Sequence, residues 1–438
     1  ILPDMQETLK PLRVPHESTT LANGLKVIIH EDHTSPIVAV HVMYRAGSKD
    51  ERTGRTGLAH LLEHLLFEGS EHCPKGDFDR LLERVGGTNN GSTWLDRTNY
   101  YEVVPSHAVE LALWLERERM AHFLPVLDEE MLEVQRSVVI NERKQSYENR
   151  PYGLAFERLH QLLFPADHPY SWPTIGYTAD LEQTTLEDAR EFYQRYYAPD
   201  NAVLVLAGDL SVNQGFAWAE KYFGDVPPGG LEQPAASTVP APSAGRDTLA
   251  DRVTFPRLYQ AWAVPPYGSD EWVQLDVLSY VLADGESSRL QRALVRDGEL
   301  AQETDTYLYP TRLSGIFGIV TTARSGIAIE RIEQTVDEVL DAVISAGVSQ
   351  AEVTGAIRRS RRDHIHQLAN MEDRAEELAY AATILDGPED LERILNRYAD
   401  VTAADVQRVA REYLGRDTRA TLIVLPSGEP ESEEVDFE

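Results

Sequence analysis

His60 and His64 flank Glu63 in the run His60-Leu61-Leu62-Glu63-His64. Two imidazoles and a carboxylate at this spacing can hold a zinc ion and move a proton beside it. Residues four apart on a helix lie one turn above each other on the same face, so both rings can reach one ion. Glu63, three positions after His60, projects near that face and can take a proton from water without being a ligand. Catalytic zinc usually has three protein ligands and one open position, so a third ligand must come from elsewhere in the chain.

The spacing of apolar residues supplies the element these side chains need. From Thr56 to Gly69, Leu58, Leu61, Leu62, Leu65, Leu66 and Phe67 recur at three- and four-residue intervals, and Gly69 is a stop signal, which predicts a helix. The order H-x-x-E-H reverses the commoner H-E-x-x-H arrangement and is the inverzincin signature. The segment Leu127 to Tyr147 is helical in composition and offers Glu129, Glu130, Glu133 and Glu142 as third ligands. Pattern alone does not choose among them, because charged residues on helices commonly face solvent.

Beyond these residues the chain resembles the pitrilysin/insulinase family of zinc metallopeptidases, in particular its shorter bacterial and mitochondrial-processing-peptidase-like members. The resemblance is carried by Leu21 to Ile28, Pro36 to Val40, Ala46-Gly47-Ser48, Gly54 to Gly69, Gly86 to Thr93 and Asp96 to Tyr100. It implies a third ligand in a V-I-x-E context, which Val139-Ile140-Asn141-Glu142 fits, making Glu142 the ligand and Glu133 the fallback. Many relatives carry a second glutamate two helical turns earlier, where this chain has Gln135. The resemblance also implies one Zn2+ per chain, peptide-bond hydrolysis with Glu63 as the base, and Asn89 and Asn90 as substrate contacts. The stretch Gly87 to Thr93 is small and polar. It suits an edge strand for an extended peptide, although Asn89-Asn90-Gly91 is also a turn signal.

In relatives an arginine and a tyrosine from the non-zinc half complete the site. Here Arg296 stands for the arginine, but Gln302 occupies the tyrosine position. The expectation is therefore a metal-bearing subunit paired with a homologous chain that supplies an Arg/Tyr pair, a heterodimer in preference to a homodimer. The two would close around a chamber that admits unfolded peptides. The alternatives are a noncatalytic scaffold of the same fold and a processing peptidase dedicated to one precursor.

A chain of 438 residues with 42% hydrophobic composition is long enough for more than one core. The net charge of −31 argues against nucleic acid and anionic lipid as partners, since both are bound through clustered Lys and Arg. An acidic cavity would favour basic peptides, but a self-repelling surface accounts for the charge equally well. The single cysteine, Cys73, excludes an internal disulfide and a thiolate-based zinc site. No apolar run reaches the length of a membrane span. The chain begins at Ile1, as removal of an export leader would leave it, and the expected setting is a bacterial periplasm, with the cytoplasm as the alternative.

The Pro-, Ala- and Gly-dense stretch 226–246 is the expected linker between a catalytic domain, 1–225, and a homologous non-metal domain, 247–427, followed by an acidic tail, 428–438, expected to be disordered. Thr185-Leu186-Glu187-Asp188 and Thr402-Ala403-Ala404-Asp405 repeat at an offset of 217, each before a helix and a buried strand. An offset of 216 sets His60, Glu63 and His64 opposite Asp276, Ser279 and Tyr280. The expected fold is α+β, with two homologous domains of mixed and antiparallel sheet packed with helices.

Overall fold

A computed structural model describes residues 10–230 and 241–427; the acidic tail and residues 231–240 of the expected linker lie outside the described residues. The first half contributes β1 (Glu17–Thr20), β2 (Lys26–Glu31), β3 (Ile37–Tyr44), β4 (Thr88–Thr93), β5 (Thr98–Pro105) and β6 (Ala202–Gly208). Its helices are α1 (Leu58–Leu65), α2 (Asp77–Val85), α3 (Val109–Ala121), α4 (Glu129–Arg143), α5 (Ala155–Leu163), α6 (Thr178–Gln183), α7 (Leu186–Tyr196) and α8 (Val212–Phe223). The second half contributes β7 (Arg246–Asp251), β8 (Arg257–Val264), β9 (Ala301–Tyr309), β10 (Gly315–Ala323) and β11 (Ala420–Pro426). With them come α9 (Asp270–Leu282), α10 (Ile329–Ala346), α11 (Gln350–Gln367), α12 (Met371–Ile384), α13 (Glu389–Arg397) and α14 (Ala403–Tyr413). Arg246, the last residue of the expected linker, already opens β7.

The two sheets share one plan. Their strand orders are β1-β2-β6-β3-β5-β4 and β7-β11-β8-β10-β9, which coincide once the additional β1 is set aside. In each, one parallel pair, β2 with β6 or β7 with β11, adjoins a run of antiparallel pairs. The repeated Thr-x-x-Asp segments are matching capping boxes: Thr185 and Asp188 open α7, and Thr402 and Asp405 open α14.

Strand β3, IVAVHVMY, is buried almost throughout because both faces of the sheet are covered. Side chains alternate across a strand, so Val38, Val40, Val42 and Tyr44 join a core with Leu58, Leu61, Leu62 and Leu65 of α1. Ala39 and Met43 face the opposite way, onto Met371, Ala375, Leu378, Ala379 and Ala382 of α12. Thus a helix from the second half covers the first sheet. The exchange is reciprocal, since Leu159 and Leu163 of α5 pack on Tyr259, Ala261, Ile316, Leu422 and Val424 of the second sheet. Each large apolar side chain buried this way contributes roughly 1.5–3 kcal/mol, so the halves cannot part without exposing a face of each sheet.

Candidate metal centre and cleft

Helix α1 buries Leu58, Leu61, Leu62 and Leu65 against β3 and turns His60 and His64 toward α4. Its N-cap, Gly57, sits at φ 85° and has no side chain to offer the first N–H groups. The Glu51 carboxylate does so instead, accepting from Gly57 N at 2.9 Å and Ala59 N at 2.8 Å. A Cβ at Gly57 would come within 2.7 Å of the Ile175 carbonyl, so this close approach requires glycine.

Helix α4, capped by Asp128, brings Glu142 to the two histidines. Glu142 Oε2 lies 3.4 Å from His64 Nε2 and 3.9 Å from His60 Nε2, and one donor atom from each of the three residues lies within 4.8 Å of the other two. Donors about 2.1 Å from a tetrahedral ion stand about 3.4 Å apart, so this set fits zinc with little adjustment. Burial, aided by the neighbouring His64, pushes His60 down to about 4, which keeps it neutral and able to ligate at pH 7. The hydrogen bond from His64 holds the Glu142 carboxyl below its ordinary range. Glu133 points elsewhere, pairing with Arg136 at the surface, and Glu129 and Glu130 are exposed.

Glu63 is 8% exposed, and burial raises its carboxyl above the ordinary value. Thr93 Oγ1 donates to its Oε2 at 2.6 Å. A carboxylate raised in this way is a stronger base, and the hydrogen bond fixes its orientation.

A cleft of about 540 Å³ opens beside these residues, lined by His60, Glu63, His64, Phe67, Asp79, Glu142 and residues 89–93 of β4. Among the described residues β4 pairs only with β5 and is the edge strand of its sheet, not the turn that Asn89-Asn90-Gly91 also permits. Asn89 Nδ2 donates to Asp79 Oδ1 at 2.9 Å, and Asn90 Oδ1 accepts from Gly91 N at 2.9 Å. Every lining residue belongs to the first half. Arg296 is not brought to this cleft: it donates to Asp297 at 2.7 Å on the surface of the second half. Gln302 Nε2 donates to the Ala323 carbonyl at 3.2 Å.

The second half carries a counterpart of about 390 Å³, lined in part by Asp276, Ser279, Tyr280, Ala283 and residues 305–308 of β9. These stand 216 positions after His60, Glu63, His64, Phe67 and residues 89–92, so one offset relates the two linings. In the counterpart, Tyr398 OH donates to Asp276 Oδ2 at 2.8 Å and Tyr280 OH to Asp363 Oδ2 at 3.1 Å.

Sequence reasoning missed several supporting residues. Arg97, 5% exposed, donates to the Ser92 carbonyl at 3.0 Å and pairs with Glu376 of α12 at 3.0 Å, fastening β4 to the second half. Gln135 donates to Glu68 Oε1 at 2.8 Å, tying α4 to the segment after α1. Thr93, Arg97 and Glu51 carry no spacing signal; only the strand pairing and the packing around α1 place them. Among the described residues no helix is long and apolar enough to cross a membrane.

Comparison with known proteins agrees with this geometry. The insulinase (peptidase family M16) pattern matches residues 26–172, and the peptidase M16 inactive domain matches residues 183–360. The chain is 29% identical to the zinc protease PqqE of Helicobacter pylori over 94% of this chain and 92% of that one. It is 25% identical to the mitochondrial-processing peptidase subunit beta of Saccharomyces cerevisiae over 78% of this chain and 77% of that one. Among solved structures, a protease from Helicobacter pylori superposes with a TM-score of 0.87 at 28% identity, covering 94% of this chain and 99% of that one. A peptidase M16 inactive domain from Pseudomonas fluorescens shares the fold, with a TM-score of 0.85 at 19% identity over 94% of this chain and 98% of that one. Two matched sheets, a helix bearing H-x-x-E-H, and these likenesses place the chain in the insulinase (M16) peptidase family, among its short two-domain members.

Proposed function

We propose that the chain is a zinc-dependent endopeptidase for extended peptides and the metal-bearing member of a two-chain enzyme. The observation that carries this reading is the meeting of His60, His64 and Glu142 beside a buried Glu63 and an open strand edge. A zinc ion held by these three ligands supplies Lewis acidity to the scissile carbonyl and to the attacking water. Glu63 accepts a proton from that water at a carboxylate oxygen while Thr93 holds Oε2, and the proton then passes to the leaving amine nitrogen. The substrate lies along β4 by main-chain pairing, with Asn89 and Asn90 beside it, while Arg97 keeps the strand in register through the Ser92 carbonyl.

The two-chain part is supported by what the cleft lacks. Among the described residues none of the second half lines it, and Arg296 and Gln302 are engaged elsewhere. A homologous subunit would supply the cation and phenol and close the chamber that excludes folded proteins.

Zinc content and cleavage of an unstructured peptide, measured for the chain alone and with a homologous subunit carrying the Arg/Tyr pair, test both parts. One zinc that His60→Ala with His64→Ala removes, with weak activity from the chain alone and strong activity in the pair, is the expected result. Strong activity from a demonstrated monomer would remove the two-chain part. Absence of zinc at His60, His64 and Glu142 would remove the peptidase and leave a scaffold of the same fold.

A further inference from the structure

A second pair of imidazoles lies outside the cleft. His72 belongs to the loop between α1 and α2, His122 follows α3, and their ring centroids are 4.8 Å apart at an interplanar angle of 80°. His60 and His64 stand at 4.7 Å and 79°. A carboxylate accompanies each pair: Glu71 Oε2 is 3.4 Å from His122 Nδ1, as Glu142 Oε2 is 3.4 Å from His64 Nε2. One donor atom from each of Glu71, His72 and His122 lies within 4.8 Å of the other two.

The surrounding contacts hold this cluster in place. Glu118, 3% exposed, accepts from Ser70 Oγ at 2.6 Å, from His72 N at 3.3 Å and from His72 Nδ1 at 3.1 Å. A carboxylate on Nδ1 keeps the proton there and leaves the Nε2 lone pair free, the pairing that orients ligating histidines. Glu71 N donates to the His122 carbonyl at 2.9 Å and Ser70 N to the Cys73 carbonyl at 2.8 Å, so both segments are fixed by the protein alone.

We propose that Glu71, His72 and His122 form a second site for a divalent transition metal. Imidazole and carboxylate donors suit Zn2+, Ni2+ and Cu2+. Glu71 and His72 are about half exposed, so the site is open to water, and the buried carboxylate beside it, Glu118, is engaged by Ser70 and His72. Its role is that of a clip, fastening the loop that leaves α1 to the end of α3, and Glu118 is its positioning residue.

The full chain carrying His60→Ala and His64→Ala, stripped of metal and titrated calorimetrically with Zn2+, isolates the site from the cleft. One bound equivalent, with a melting temperature that rises with free zinc, is the expected result. Adding His122→Asn abolishes that binding, and adding Glu118→Gln instead weakens it about 10–100-fold. His72→Asn, at an exposed ring, repeats the loss should His122→Asn fail to fold. In the chain with an intact cleft, His122→Asn leaves peptide turnover unchanged. No zinc bound by the cleft-deficient chain, or binding that survives both histidine replacements, overturns the proposal.

Discussion

The two clefts are products of one fold, and they differ in what fills it. Each lies between the helix that follows the middle strand of its sheet, β3 or β8, and an edge strand, α1 with β4 and α9 with β9, and the same offset relates their linings. In the first, the His60 and His64 imidazoles converge on the Glu142 carboxylate, with no tyrosine hydroxyl between them among the described residues. In the second, Asp276 and Asp363 are each hydrogen bonded to a tyrosine hydroxyl. The scaffold therefore positions side chains in both halves alike, and residue identity decides whether they are ready for a metal or already satisfied. Function lives in the site rather than in the fold.

The largest expected effect separates the clefts by chemistry. Glu63→Gln keeps the shape and the ligands but cannot accept a proton, so turnover falls about 10²–10⁴-fold while zinc content stays the same. Activity at the unsubstituted level would show that the base lies elsewhere. Ser279→Ala, at the equivalent position of the second cleft, leaves turnover unaltered, and a comparable loss there would break the asymmetry between the two.

The next effect is on stability and belongs to the second cleft. Burial, with a smaller contribution from the Asp363 charge, raises Asp276 from the ordinary aspartate range to about 6. The folded chain then binds more protons than the unfolded one between about pH 4 and 6, so stability falls as pH rises through that window. Asp276→Asn stays neutral and still accepts from Tyr398. It should exceed the parent chain in stability at pH 8 by at most about 3 kcal/mol, two units at 1.36 kcal/mol each, and the advantage should vanish near pH 4. Thermal unfolding at the two pH values measures it; an equal difference at both would mean Asp276 does not titrate in this way.

How much of this could be read from sequence follows from the range of each interaction. The periodicity from Leu58 to Phe67 marks α1 because the burial of one helix face is local, and the near-continuous apolar run of Ile37 to Tyr44 suits a strand covered on both faces. Glu142 needed a family resemblance, since Glu129, Glu130 and Glu133 share its helix and only the packing of α4 against α1 distinguishes them. The exchange of α5 and α12 between the sheets carried no signal. An apolar helix face has the same spacing whichever sheet it covers, and nothing in Met371 to Ile384 names β3 and β6 as its partners. Thr93 and Arg97 were hidden likewise, because their partners Glu63 and Glu376 are distant in sequence.

A smaller effect tests how the first cleft orients its base. Thr93→Val keeps volume but removes the donor to Glu63 Oε2, so the carboxylate loses its fixed direction. Losing one hydrogen bond to a charged group is worth about 1.5 kcal/mol, hence roughly a tenfold lower kcat with zinc content unchanged. A change in KM alone would assign Thr93 to substrate contact instead.

The smallest expected effect concerns the ties between helices. Glu68 and Asp284 are again 216 positions apart, and each fastens the end of its cleft helix to the facing helix: Glu68 to Gln135 of α4, Asp284 to Arg359 of α11. The second half uses a cation for this, whereas the first uses a neutral amide with Lys75 on the other Glu68 oxygen. Gln135→Glu would set two carboxylates 2.8 Å apart in a position only 7% exposed. Lys75 offsets part of the repulsion, so the cost should be about 1 kcal/mol, read as a lower melting temperature at pH 8 that recovers at pH 5 as the pair takes up a proton. The ligand Glu142 lies two helical turns further along α4, so metal content should not change. A loss of zinc on this substitution would mean that the amide at position 135 sets the approach of α4 to α1, and with it the reach of Glu142.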